Sequence, residues 1–132
     1  MWRINKKSKG IMVSFGDTFV IPFCITNHVL TSSEKVTFTV RKYHMDKRTY
    51  KMVLGDVVFS KSYTKADAMD IKDQANQVVG SQICVTAAKS DWDVLTVGDY
   101  DLKYDLVLQD TAANKQVAII LPTDFAVREV LL

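Results

Sequence analysis

A chain of 132 residues fits one domain and can bury most of the apolar surface that it exposes when unfolded. With 48% hydrophobic residues, 24% charged residues and two prolines, it is too apolar to be disordered. The net charge of +2 conceals an asymmetry, because residues 1–65 hold 12 Lys or Arg against 4 Asp or Glu, whereas residues 66–132 hold 5 against 11. The cations are scattered instead of being gathered with aromatics on one element, so the footprint of a nucleic-acid reader is missing.

The first ten residues form a basic arm with Arg3, Lys6, Lys7 and Lys9. Gly16, Asp17 and Thr18 interrupt the next hydrophobic stretch, which argues against a secretion signal. No run of 18 apolar residues offers a membrane-spanning helix. Synthesis in a reducing cytoplasm is therefore expected, with Cys24 and Cys84 as free, buried thiols.

Period-two patterns dominate the chain beyond this arm. Residues 11–14 form a first strand, and after the Gly16-Asp17 turn Phe19, Ile21, Phe23 and Ile25 share one face of a second. Val20 and Cys24 make the opposite face of that strand apolar too, and Pro22, which has no ladder donor, restricts it to an edge or a bulge. Beyond the turn at residues 31–34, Val36, Phe38 and Val40 point inward while Thr37, Thr39 and Arg41 point outward. Residues 42–51 read as a loop and Gly55-Asp56 as a turn, ahead of a strand over 57–63. Good helix formers behind Thr64 and Asp67 predict a short helix over 64–75. Gly80-Ser81 reads as a turn before a strand over 82–87, and Ser90-Asp91-Trp92-Asp93 as a near capping box opening one helical turn. The clearest alternation is Tyr100, Leu102, Tyr104, Leu106 and Leu108. A turn at 110–114 and strands over 116–121 and 125–130 complete the chain.

About eight short strands with regular punctuation predict an all-β sandwich or barrel in a single domain over residues 1–132. The run Leu95-Thr96-Val97-Gly98-Asp99-Tyr100-Asp101-Leu102 narrows this to an immunoglobulin-like sandwich of about 7–8 antiparallel strands with one or two short helical turns. In it Gly98 relieves a corner, and the Tyr100 hydroxyl donates to a main-chain carbonyl near Leu95 or Thr96.

Chemistry is sparse. The five glycines stand apart, so no phosphate-cradling loop can be built. His28 and His44 lack a nucleophile motif, and their spacing with Cys24 and Cys84 fits no recurrent zinc pattern. The carboxylates form neither a calcium loop nor a glycosidase pair on an enclosed face. The reading is a non-enzyme without metal or cofactor. Its candidate interaction surface is Lys42, Tyr43, Lys47, Arg48, Tyr50 and Lys51 on the presumed loop, where the tyrosines are exposed. Trp92 is expected to cap an open end of the sandwich.

The order of features carries a resemblance. Gly16-Asp17-Thr18 leads into an apolar strand, then Lys35-Val36-Thr37-Phe38-Thr39-Val40-Arg41. Ser90-Asp91-Trp92-Asp93-Val94-Leu95 comes next, then the strand Gly98-Asp99-Tyr100-Asp101-Leu102-Lys103-Tyr104-Asp105-Leu106 and a closing Pro122-Thr123-Asp124-Phe125-Ala126-Val127. This resembles the N-terminal domain family of phage baseplate upper proteins and related small tail proteins of phages and prophages of Gram-positive bacteria. The resemblance implies a structural module that docks to other tail or baseplate subunits without enzymatic activity, assembled in the host cytoplasm and then carried in the virion tail. Neither a membrane nor nucleic acid is an expected partner. Self-association is a further expectation, with the basic arm and the loop at 42–51 lying together and facing Asp99, Asp101 and Asp105 of a neighbour. The alternative function is a carbohydrate-binding sandwich, for which Trp2, Tyr43, Tyr50, Tyr63 and Trp92 could supply an aromatic platform if they stand in an exposed row.

Overall fold

The computed structural model describes residues 2–129. These residues form β1 (Trp2–Ile4), β2 (Ile11–Ser14), β3 (Phe19–Ile25), β4 (Glu34–Met45), β5 (Met52–Thr64), β6 (Met69–Lys72), β7 (Val78–Ala87), β8 (Tyr100–Asp110) and β9 (Lys115–Arg128). Two single 3-10 turns, at Lys65–Asp67 and Lys89–Trp92, interrupt them. The strands build one sheet of six, ordered β1-β2-β9-β8-β4-β5, and one of three, ordered β3-β7-β6. The architecture is an all-β sandwich.

Side-chain alternation builds the core between the two layers. Val36, Phe38 and Val40 of β4 and Leu102, Tyr104 and Leu106 of β8 are buried and meet Phe19, Ile21 and Phe23 of β3 and Ile83 and Val85 of β7. Phe38 sits at the centre, its ring 5.3 Å from that of Tyr104, 5.9 Å from Phe23 and 6.1 Å from Phe59. Tilted aromatic contacts at these separations add to the area that the rings bury. Pro22 lies in β3, an edge strand of the small sheet, the kind of position where a residue without a ladder donor is tolerated.

Long-range pairing overrides several local signals. There are nine strands among the described residues instead of about eight, and β2 pairs with β9 in parallel, so the sheets are not wholly antiparallel. The basic arm is not free: β1 pairs with β2, and the Asn5 side chain accepts the N–H groups of Lys7 and Ser8 in the turn between them. Instead of a helix over 64–75, one 3-10 turn held by Asp67 leads into β6, whose Met69 and Ile71 pair with Gln82 and Gly80 of β7. Sheet pairing there outweighs helix propensity. Gly80 and Ser81 belong to β7 and are buried; a Cβ on Gly80 would stand 2.4 Å from the Ile25 carbonyl oxygen, so the glycine permits close strand approach. Gly55 and Asp56 lie inside β5 beside register shifts at Arg41. The two closing strands merge into β9, in which Pro122 is tolerated because β2 pairs only with Phe125–Arg128 and leaves the earlier part an edge.

Candidate interaction surface

Residues 42–51 are not a loop but the end of a long hairpin. β4 runs to Met45, β5 starts at Met52, and the connection is folded by Asp46. Its N–H donates to the Lys51 carbonyl at 2.7 Å, its carbonyl accepts the Tyr50 N–H at 2.8 Å, and its side chain accepts the Arg48 N–H at 2.7 Å. The Asp46 carboxylate is thus committed to the turn. Tyr50 closes the turn at φ +56, a left-handed conformation that a tyrosine adopts at a cost, and it is 80% exposed.

The hairpin divides the sequence-derived candidates. Strand alternation places Tyr43 on the outer face of the large sheet, where the Lys103 ammonium lies 4.7 Å from its ring centroid, and places Lys42 on the opposite face. Lys47, Arg48 and Lys51 are exposed at the tip with Tyr50. None of Lys42, Lys47, Arg48 and Lys51 forms an ion pair with the described residues. Sequence reasoning missed the apolar members of this surface. Met45 is paired with Met52, and Tyr43 with Leu54, so both pairs share the outer face; Met45 is 55% exposed. Continuing the period-two alternation of β4 past Arg41 would have found them.

At the corner, the Tyr100 hydroxyl donates to the Thr96 carbonyl at 2.6 Å. Tyr100 is half-buried and this bond is solvent-exposed. Gly98 has no positive φ, and an added Cβ would meet the Tyr100 ring at 3.7 Å, an ordinary contact. The tyrosine makes this corner and the glycine is not needed for it.

Trp92 is 2% exposed, donates its indole N–H to the Asp17 carbonyl at 2.8 Å and packs in a tilted contact 5.4 Å from the Phe15 ring, so it plugs the end of the core where β8 begins. Trp2 and Tyr43 are half-buried. Tyr63 is half-buried too, so of the five aromatics considered for a sugar platform Tyr50 alone is exposed.

At the other end Ile25, Leu108, Val117 and Ile119 line a cavity of about 420 Å³ with His28 and Glu34 at its rim. The Glu34 carboxylate is buried and hydrogen-bonds the His28 ring at 2.8 Å and the Thr31 N–H at 2.8 Å. Burial raises its pKa, but these donors outweigh that and hold it below the ordinary carboxylate value. Its function is to tie the β3–β4 connection together. His44 lies in the β4–β5 hairpin, and Cys24 and Cys84 lie on the outer face of the small sheet, exposed and half-buried instead of buried. Among the described residues no second layer covers that face of β3 and β7. Among the described residues no three His, Cys, Asp or Glu side chains are grouped to hold a metal ion, and no helix is long and apolar enough to cross a membrane.

The supposed self-association surface is not assembled as expected. The β1–β2 and β4–β5 hairpins form opposite sides of the large sheet, so β9 and β8 lie between the N-terminal turn and the hairpin tip. Asp101 pairs with Arg128 at 3.1 Å, and Asp99 accepts the Glu129 N–H at 2.7 Å. Burial raises the Asp105 pKa while the nearby Arg41 partly offsets this. No protein-family model, curated protein or solved structure matches the chain.

Proposed function

We propose that the protein is a non-enzymatic assembly module of a phage or prophage tail or baseplate, built as an immunoglobulin-like sandwich and docking to other subunits through the β4–β5 hairpin. The observation that carries the docking role is that hairpin: an extension of the large sheet bearing Tyr50, Met45 and Met52 together with four cations that form no ion pair with the described residues. Exposed aromatic and methionine side chains with neighbouring arginine are typical of interface centres. The Tyr50 backbone strain supports the same reading, because strain retained at an exposed tip points to a use beyond folding. The sandwich subclass is supported by the Tyr100 hydroxyl bond four residues upstream at the start of β8. The tail assignment rests on the sequence resemblance.

Purified tailed particles from the strain that carries the gene provide the test. Mass spectrometry should detect the chain in particles, and immunogold labelling should place it at the tail. Particles that lack the chain while it accumulates in the cell would overturn the tail assignment.

A further inference from the structure

Two hairpins of opposite net charge leave the molecule at opposite ends. β4 pairs with β8 up to Arg41 opposite Lys103, so the β4–β5 tip lies at the end where β8 begins. Trp92, Asp17 and Phe15 are gathered at that same end. β3 runs away from it, since Ile25 at its far end lines a cavity with Leu108 near the end of β8. Ser81 pairs with Ile25 and Lys72 with Val78, so the β6–β7 connection lies at the far end.

These hairpins are opposite in chemistry as well as in place. Residues 41–51 contain five cations and one carboxylate, and that carboxylate, Asp46, is occupied by turn N–H groups. Residues 66–77, which hold β6 and its flanks, contain three carboxylates, Asp67, Asp70 and Asp73, and one cation, Lys72. None of these three carboxylates forms an ion pair with the described residues; Asp67 accepts the Thr64 N–H and Asp73 the Ala75 and Gln77 N–H groups, as Asp46 does in its own turn, and Asp70 makes neither a hydrogen bond nor an ion pair with the described residues. Each hairpin also exposes apolar side chains among its charges: Tyr50 and Met45 at the basic tip, and Met69, 61% exposed, with Val78 and Val79 on the acidic side. β6 is moreover an edge strand of the small sheet.

We propose that the occupant of the basic hairpin is a second copy of this chain, whose β6 edge with Asp67, Asp70 and Asp73 receives the tip. The contact deepens the docking role assigned to the hairpin and rests on it. The two patches differ and sit at opposite ends, so the contact is head-to-tail and repeats from copy to copy, closing into a ring or running on as a filament. Opposite charges steer the two hairpins together, and the apolar side chains are covered once they meet. Asp101 and Asp105, already facing Arg128 and Arg41, take no part.

Sedimentation of the whole chain tests this. At about 0.1 M salt it should form multimers that grow with concentration, and these should fall apart toward about 1 M salt as the Debye length shrinks from about 10 Å to about 3 Å. Lys47→Glu with Arg48→Glu, or Asp70→Lys alone, should weaken association by about tenfold or more. These side chains make no hydrogen bond or ion pair with the described residues, so the variants should keep the parent's thermal midpoint. Mixing the two variants should restore association, because a reversed tip then meets a reversed edge. A monomer at low salt and high concentration would overturn the proposal, as would a multimer indifferent to both variants. A monomeric chain present in tail particles would retire self-association alone, and a salt-sensitive multimer missing from particles would retire the tail assignment alone.

Discussion

The centre of the sandwich and the tip of the β4–β5 hairpin use the same kinds of residue for opposite ends. Phe38 and Tyr104 are buried among other rings, whereas Tyr50 and Met45 stand in solvent. At the centre each aromatic removes apolar area from water and fills space that no other side chain can reach. At the tip the hydrophobic side chains contribute little to folding, and Tyr50 adds backbone strain. Stability and contact are therefore held in separate regions, and substitutions should reveal the separation.

Phe38→Ala should have the largest effect. It removes a ring in contact with Phe23, Phe59, Tyr104 and Phe125, and a loss of about 3–5 kcal/mol in chemical denaturation is expected. A loss below about 1 kcal/mol would mean that the centre is not the stabilising region.

Alkaline titration should separate Tyr104 from the tyrosines nearer the surface. Burial pushes its pKa up to about 12, while its hydroxyl donates to the Lys9 carbonyl. The folded protein thus disfavours the phenolate. Its contribution is fully present below the unfolded tyrosine value near pH 10, and falls by about 2–3 kcal/mol as pH rises to about 12. In ultraviolet absorbance Tyr104 should be the last tyrosine to ionise, and Tyr104→Phe should remove that step. Ionisation of Tyr104 near pH 10, with the fold intact, would contradict the burial argument.

Tyr100→Phe lies between the two regions. Its bond to Thr96 is solvent-exposed, so a loss of about 0.5–1 kcal/mol is expected, at the low end of the range for a hydrogen bond. A loss above about 2 kcal/mol would make the corner as important to stability as a buried polar contact.

The smallest effect should have the opposite sign. Tyr50→Asn replaces a side chain that resists the left-handed conformation with one that tolerates it, and should stabilise the fold by up to about 1 kcal/mol. A clear destabilisation would show that the Tyr50 ring supports the fold, and would erase the contrast between tip and centre.

Much of the sandwich was legible because alternation reports which residues share a face. Val36, Phe38 and Val40 read as inward, and all three are buried. The corner bond could also be placed, since a tyrosine entering a strand has few carbonyls within reach. The interaction surface was only partly legible. Its cations and Tyr50 stand out as a cluster in sequence, but reading 42–51 as a loop hid the outward pair of Met45 and Met52. β6 was hidden by its helix-forming composition, because the pairing that extends it comes from β7.

The sequence by itself determined the period-two pattern, and with it a two-layer β architecture, because alternating burial arises from the pleat of a strand whatever that strand pairs with. It also showed that Val20 and Cys24 share a face of β3. Only the tertiary structure decided that no other described residues form a layer over this face, that β2 runs parallel to β9, and that the basic and acidic hairpins emerge at opposite ends. Those properties depend on which distant segments pair, and pairing is set by the packing of the whole core instead of by any local run of residues.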